Sequence, residues 1–182
     1  LYRQHQRLQD AGIEVSRGWL TQLVHRTASL LEPIYMAQLA SIRAGSVIAM
    51  DETPIKAGRK SRGKMKTTYY WPLYGDRDEI VFPWFASRAG PNVTALLGEY
   101  TGTLLSDGYA AYSRYVADRS DVVHAQCWAH TRRGFVEAED VEPALVTEAL
   151  ARIRELYAQE DHIAEQELTG DPKLERRVEC SK

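Results

Sequence analysis

The chain has 182 residues, of which 44% are hydrophobic and 26% charged, and this composition supports a buried core and excludes global disorder. No apolar run approaches the roughly 18–20 residues that a membrane-spanning helix needs, and Leu1 begins no signal-peptide pattern. Because there is also no initiator Met, we expect an internal piece of a longer soluble protein. The two cysteines, Cys127 and Cys180, form no disulfide framework, which favours a reducing, cytoplasmic setting without a membrane partner.

Charge is unevenly distributed along the chain. The formal net charge is −2, but residues 1–133 contain 17 Lys and Arg against 12 Asp and Glu, whereas residues 134–182 contain 6 against 13. Any polyanionic partner is therefore expected at the basic first part of the chain. The alternative is that the acidic helices are acidic only because they are solvated, and charge alone leaves both interpretations open.

The N-terminal part of the sequence predicts helices. Residues 1–9 form a first short helix, and Ser16 is a suitable N-cap for a second helix that Pro33 ends. A further helix is predicted over residues 34–43. A helix, a Gly-containing turn and a second capped helix are typical of a helix-turn-helix, so residues 1–45 are a candidate DNA-reading segment. A plain helical hairpin that packs on the next domain is the alternative.

Strands follow from Val47 onward. Residues 47–50 form a short apolar run, and residues 56–66 are predicted to be a flexible basic loop. Two aromatic and β-branched strands are predicted over residues 67–74 and 80–85, and the turn sequence at 75–78 joins them as a hairpin. The first three strands are therefore expected to be antiparallel neighbours.

Helices and strands alternate in the next part of the chain. The predicted elements are a helix over residues 90–100, a strand over 102–105, a helix over 109–116, a strand over 122–125 and helices from about 129, with a break at 170–172. Three antiparallel strands followed by alternating helices and strands define a mixed α/β sheet flanked by helices. This is the strand order of the ribonuclease-H-like fold.

Two carboxylates follow strands that would be adjacent in such a sheet. Asp51 ends the first strand and Asp107 ends the fourth, so both side chains can reach one place. Two carboxylates that converge repel each other unless a cation lies between them, and Mg²⁺ or Mn²⁺ suits such oxygen ligands. Ordinary turn chemistry is the alternative for either Asp alone.

Several short motifs, in order along nearly the whole chain, resemble the transposases of the insertion sequence 66 family. They are Asp51-Glu52-Thr53-Pro54, Ser87-Arg88, Ser106-Asp107-Gly108-Tyr109-Ala110-Ala111-Tyr112 and Cys127-Trp128-Ala129-His130-Thr131-Arg132-Arg133-Gly134-Phe135. The resemblance implies a three-carboxylate DDE site in which Asp51 is the first member and Asp107 the second. The third would be a Glu in an Asp-Asn-Asn…Glu-Arg motif downstream, which this sequence does not contain. Glu175-Arg176-Arg177 is superficially similar and is given no catalytic role.

The same resemblance implies metal-dependent cleavage and strand transfer of insertion-sequence DNA. It divides the chain into the helix-turn-helix-like segment 1–45, a partial catalytic core at 46–140 and a truncated inserted helical segment at 141–182. The implied cofactor is Mg²⁺ or Mn²⁺, and the implied partners are double-stranded DNA (transposon ends and target), further copies of the protein on DNA, and accessory transposition proteins. A nuclease of the same fold and a catalytically inactive DNA-binding fragment are the two alternatives.

Basic residues around these motifs are candidates for DNA contact. The candidates are Lys56, Arg59, Lys60, Arg62, Lys64, Lys66, Arg88, His130, Arg132 and Arg133. For the two adjacent arginines, surface salt bridges with the acidic helices are the alternative. The spacing His124-x-x-Cys127-x-x-His130 leaves three interpretations open, namely packing beside the site, phosphate contact by His130, and a zinc site that would still need a fourth ligand.

Overall fold

The computed structural model describes residues 1–61 and 63–180, so that Arg62, Ser181 and Lys182 lie outside the described residues. The helices are α1 (Tyr2–Asp10), α2 (Arg17–Arg43), α3 (Pro91–Leu97), α4 (Ala110–Val116), α5 (Trp128–Glu137), α6 (Pro143–Glu165) and α7 (Gly170–Cys180). The strands are β1 (Val47–Met50), β2 (Thr53–Ser61), β3 (Lys64–Tyr70), β4 (Leu73–Gly75), β5 (Ile80–Val81), β6 (Trp84–Phe85), β7 (Gly102–Ser106) and β8 (Val122–Gln126). Within the described ranges, no helix combines the length and apolar character that a bilayer crossing requires.

The N-terminal helices differ from the prediction at one point. The Ser16 hydroxyl accepts a hydrogen bond from the Trp19 backbone N–H at 3.1 Å, which confirms the N-cap of α2. The predicted break at Pro33 is wrong, because α2 continues through this residue for 27 residues in all. Pro33 removes one backbone hydrogen bond, but the last turns of α2 are held by the buried side chains of Leu39 and Ile42. A DNA-reading role for this segment stays a prediction.

A five-stranded mixed sheet forms the centre of the fold, with the order β5-β4-β1-β7-β8. β1 pairs antiparallel with β4 and parallel with β7, where Ala49 lies opposite Leu105. The predicted antiparallel arrangement of the first strands is thus confirmed for β1, β4 and β5. At the far edge, Gly102 N–H donates to Asp121 O at 3.1 Å and Cys127 N–H donates to Ser106 O at 2.8 Å, so β7 and β8 run in the same direction.

Two predicted strands are each divided by a proline. The segment 67–74 is divided between β3 and β4 at Pro72, and the segment 80–85 between β5 and β6 at Pro83. Proline has no backbone N–H to donate to a neighbouring strand, so it marks the point where each strand leaves one sheet and enters another. As a result, β3 and β6 join β2 in a separate three-stranded sheet of order β2-β3-β6.

The described residues of the basic segment 56–66 lie mainly on the paired strands β2 and β3, here called the β2–β3 hairpin, so the prediction of a flexible loop is wrong. β2 and β3 pair antiparallel with Lys56 opposite Thr67, and the Lys56 ammonium donates to the Thr67 hydroxyl at 2.6 Å. Register shifts around Arg59 show bulges near the tip, and Gly58 takes a φ of 71° that glycine adopts without strain. Strand pairing outside the segment, from Thr67 onward, extends into it and orders it.

The described chain divides into two compact units. The first comprises Leu1–Leu105 and Ala110–His124, and the second comprises Ser106–Tyr109 and the chain from Ala125 onward. Within the first unit, the core side chains that are fully buried include Trp71, Leu73, Val93, Leu104 and Tyr112. Within the second, the buried hydrophobic side chains among the described residues are Val146, Ile153 and Ile163, all on α6. The result is a mixed α/β protein with helices flanking its sheet.

Candidate active site

Asp51 lies directly after β1 and is half-buried. Its backbone N–H donates to the Pro72 carbonyl at 3.4 Å, and its side-chain Oδ1 accepts the N–H of Glu52 at 2.7 Å. These contacts connect the residue to the segment between β3 and β4. The end of β1 therefore holds the first candidate carboxylate in a fixed backbone position.

The neighbouring Glu52 is the most enclosed carboxylate of the first unit. Its side chain has no exposed surface and forms an ion pair with Arg88, whose side chain is 42% exposed. The Tyr112 hydroxyl donates to the second carboxylate oxygen at 2.6 Å. A buried charge is tolerated when it is paired and hydrogen-bonded in this way. Sequence reasoning noted Glu52 only as part of a motif, although a carboxylate directly after an apolar strand was a usable signal.

Aromatic packing supports the Tyr112 ring that binds the Glu52 carboxylate. Trp71 is fully buried and makes edge-on contacts with both Phe85 and Tyr112, each with ring centroids 6.4 Å apart. Such edge-to-face geometry is favourable for aromatic pairs. The Tyr112 ring, whose hydroxyl donates to Glu52, therefore packs edge-to-face against Trp71.

Asp107 follows β7 and belongs to the second unit. Its Oδ1 accepts the Tyr109 backbone N–H at 2.9 Å, and the preceding Ser106 carbonyl accepts the Cys127 N–H at 2.8 Å. A cavity of about 420 Å³ adjoins it, lined by Asp107, Gly108, Gln126, Cys127, His130, Thr131, Arg133, Gly134 and Glu137. The structure thus brings three predicted site residues together, namely Asp107, His130 and Arg133.

Glu137 is a cavity residue that sequence reasoning missed. It lies seven residues after His130 on α5, and positions separated by seven residues share one face of a helix. That spacing was the available signal. Asp107 and Glu137 therefore place two carboxylates around one cavity, with the Arg133 guanidinium also in its wall.

Cys127 is the N-cap of α5 and also lines this cavity. Burial raises the pKa of its thiol, but hydrogen bonds from the backbone and side chain of His130 and from the Ala129 backbone outweigh burial, so that the net pKa is lowered. Thiolate is the reactive form of cysteine, and a helix N-terminus with a neighbouring histidine is a typical environment that stabilises it. The contacts between Cys127 and His130 therefore favour the thiolate form of Cys127.

The register of the two strands bears on metal binding. Ala49 on β1 lies opposite Leu105 on the parallel β7, and each candidate Asp follows its paired residue by two positions. Mg²⁺ is commonly bound through one or two carboxylates together with water and substrate phosphate, so a metal role for either Asp stays a prediction. Among the described residues, no group of three or more His, Cys, Asp or Glu side chains is arranged to hold a metal ion.

The candidate DNA-contacting residues fall on three elements. Lys56, Lys64 and Lys66 are exposed on the β2–β3 hairpin, whose β2 strand also carries Arg59 and Lys60, while Arg62 lies outside the described residues. Arg88 is paired with Glu52, and its remaining surface is open. His130, Arg132 and Arg133 lie on α5. Contact of each with DNA stays a prediction.

The sequence model described as Transposase IS66 family matches residues 1–182, so the chain belongs to the IS66 transposase family.

Two curated relatives come from Sinorhizobium fredii (strain NBRC 101917 / NGR234). Its "Uncharacterized protein y4jD" is 33% identical over 150 residues, which cover 75% of this chain and 29% of the relative. Its "Uncharacterized protein y4qI" is 27% identical over 179 residues, which cover 90% of this chain and 33% of the relative. The chain thus spans about a third of the length of these relatives.

Proposed function

We propose that this chain is the catalytic-core portion of a DDE transposase that cleaves insertion-sequence DNA and transfers its strands with a divalent metal ion. The observation that carries the proposal is the parallel pairing of β1 with β7. Ala49 lies opposite Leu105, and Asp51 and Asp107 each follow two positions later in the chain. The sheet order β5-β4-β1-β7-β8 supports a ribonuclease-H-like fold, since it adds two parallel strands to an antiparallel trio. The boundaries 1–45, 46–140 and 141–182 belong to the same proposal.

Asp51 and Asp107 would hold the metal in this proposal. A bound Mg²⁺ or Mn²⁺ would supply Lewis-acid stabilisation of the oxygens that attack and leave the phosphorus atom. The role of Asp51 depends on its position after β1, which its own backbone contact to Pro72 supports. The role of Asp107 depends on its cavity, where the charge of Arg133 can partly neutralise a phosphate and His130 also lines the wall.

DNA would be held by groups outside the metal site. The exposed lysines of the β2–β3 hairpin provide sequence-independent attraction for phosphates. Arg132 and Arg133 can contact a phosphate through two N–H groups at once, whereas Arg88 already donates to Glu52 and would add positive charge near the DNA. Transposon ends and target DNA are the proposed partners, with a homo-oligomer on DNA and accessory proteins as further proposals.

Metal binding tests the two carboxylates directly. Mn²⁺ added to the chain should lose its free-ion paramagnetic resonance signal, and Asp51→Asn or Asp107→Asn should weaken that binding by at least about tenfold, since each removes one charged ligand. Asp118→Asn is the matched control, because Asp118 is an exposed carboxylate in the loop before β8. Equal Mn²⁺ affinity in all four proteins would refute the metal site.

Product analysis on labelled insertion-sequence end DNA separates the candidate activities. Joined strands with Mn²⁺ indicate a transposase, and cut strands without joining indicate a nuclease of the same fold. DNA binding without any cut product indicates an inactive DNA-binding fragment. The relatives are about three times as long as the matched segment, so the same assay on a full-length relative tests the activity of the whole protein.

A further inference from the structure

A cleft in the second unit collects three arginines. It lies between α5 and α6, has a volume of about 440 Å³, and is lined by Ala129, Arg132, Arg133, Val136, Leu150, Ile153, Arg154 and Tyr157. All three guanidinium-bearing residues are exposed, and the Tyr157 side chain is 44% exposed. The cleft therefore offers exposed positive charge from both helices and an aromatic side chain from α6.

The charge of this cleft contrasts with its surroundings, because the segment 134–182 contains 13 acidic residues against 6 basic ones. Most arginines there are paired with glutamates, namely Arg152 with Glu148, Arg176 with Glu179, and Arg177 with Glu160.

Arg154 has no ion pair with another described residue, and the positions three and four residues away on α6 are Leu150, Ala151, Tyr157 and Ala158. Arg132 and Arg133 likewise form no ion pair within the described chain.

Arg133 connects the cleft with the Asp107 cavity, because it lines both. A chain of phosphates that lies along the cleft would thus reach the cavity that holds Asp107, Cys127 and His130. Consecutive phosphates on one nucleic-acid strand are best matched by several cations close together, and Arg132, Arg133 and Arg154 line this one cleft. A single phosphate would need fewer.

We propose that the cleft between α5 and α6 binds the sugar-phosphate backbone of a DNA strand and leads it to Asp107, with Arg154 and Tyr157 as DNA-contacting residues in addition to Arg132 and Arg133. This inference rests on the proposed function and adds a strand path to it. Guanidinium groups bind phosphates with two parallel N–H donors. Tyr157 provides a face on which a sugar or base can stack.

The test measures the affinity of the chain for a fluorescein-labelled duplex by anisotropy, at salt concentrations between roughly 50 and 200 mM. Arg154→Gln should weaken binding roughly fivefold to tenfold at the lower salt, and should lower the slope of log affinity against log salt by about 0.9, the value for one phosphate contact. Arg154→Lys should keep the slope, since it keeps the charge. Arg154→Glu should weaken binding more than Arg154→Gln.

Arg152→Gln is the matched control, because Arg152 lies on the same helix two residues away, is 74% exposed and is paired with Glu148. It should leave both affinity and slope within twofold of the unchanged chain. Thermal melting verifies folding, and Arg132→Gln provides a second cleft variant should Arg154→Gln melt early.

The outcomes separate this inference from the proposed function. If the chain binds DNA and both Gln substitutions within the cleft leave affinity and salt slope unchanged, the cleft is not a DNA site although DNA binding stands. If the chain binds no DNA, the cleft proposal is overturned, and the Mn²⁺ titration still decides the metal site independently. A loss at Arg154 equal to that at Arg152 would indicate a general charge effect and would also overturn it.

Discussion

Glu52 and Arg88 form an ion pair in which the Glu52 side chain has no exposed surface and the Arg88 side chain is 42% exposed. The pair lies one residue from Asp51, whose Oδ1 accepts the Glu52 N–H. Because Tyr112 binds the second oxygen of Glu52, three side chains from β1, β6 and α4 regions meet at the residue next to the candidate metal ligand. The backbone that presents Asp51 is therefore anchored by an internal charge.

Tyr112→Phe tests that anchor. The substitution removes one hydrogen-bond donor from a buried carboxylate while the ring and its packing against Trp71 remain. We expect the free energy of unfolding to fall by about 1–3 kcal/mol, the range for a buried charged acceptor that loses a partner. Urea denaturation measures it, and Tyr2→Phe is the control because Tyr2 is 67% exposed. An unchanged midpoint for Tyr112→Phe would mean that water replaces the hydroxyl without cost.

The β2–β3 hairpin gives a prediction about DNA affinity. Lys64 and Lys66 are exposed on β3, so their charges are available to phosphates and their replacement disturbs no core packing. The double variant Lys64→Gln with Lys66→Gln should reduce the magnitude of the slope of log DNA affinity against log salt concentration (the salt slope) by about 1.8. This is twice the value for one phosphate contact. Arg114→Gln, an exposed residue of α4, is the control. A salt slope equal to that of the unchanged chain would remove the hairpin from the DNA interface.

Local sequence signals correctly predicted those elements that neighbouring residues determine. Ser16 caps α2 as expected, and the apolar run Val47–Met50 forms a strand. Pro33 was misjudged because the packing of Leu39 and Ile42, several turns away, holds the helix beyond it. The segment 56–66 was misjudged because its glycines and charges suit a loop, whereas the strand pairing from Thr67 onward extends into it.

In the candidate site, too, local sequence signals identified some residues, whereas contacts between distant parts of the chain could not be predicted. Asp51 and Asp107 were identifiable because each directly follows an apolar strand. The partners of Glu52 were not, since Arg88 and Tyr112 lie 36 and 60 residues away along the chain. Arg154 was overlooked because it lies in an acidic segment. The sequence alone does not show that the glutamates there pair with Arg152, Arg176 and Arg177 in the folded helices.

Asp76 gives a prediction about acid stability. Hydrogen bonds from the Ser46 hydroxyl and backbone N–H, both 2.7 Å long, lower the pKa of the Asp76 carboxyl. A carboxyl with a lowered folded-state pKa stabilises the fold above its unfolded pKa, and this contribution is lost as the pH falls through the folded value. Below about pH 4, the melting temperature of Asp76→Asn should therefore decrease less than that of the unchanged chain.

Melting curves between neutral pH and about pH 3 measure this effect. Ser46→Ala should give an intermediate result, since it removes the hydroxyl donor and leaves the backbone N–H in place. The same pH dependence in Asp76→Asn and the unchanged chain would show that other carboxyls govern acid unfolding.

Cys127 gives the last prediction, which concerns reactivity. Although burial opposes it, hydrogen bonds from His130 and from the Ala129 backbone lower the pKa of the Cys127 thiol. A lowered pKa means that more thiolate is present near neutral pH, and thiolate is the form that reacts with iodoacetamide. In a Cys180→Ser background, which leaves Cys127 as the single thiol, the alkylation rate should rise with pH and reach its midpoint at a lower pH than for an unperturbed cysteine thiol.

His130→Ala in the same background should move that midpoint to higher pH, because it removes the side-chain donor and leaves the backbone donors. The position of Cys127 in the Asp107 cavity adds a second readout, since its alkylation fills space that the proposed metal site needs. Alkylated chain should bind Mn²⁺ more weakly, whereas a Cys127→Ser variant treated with the same reagent should not change. A midpoint that His130→Ala leaves in place would assign the lowered pKa to the α5 backbone alone.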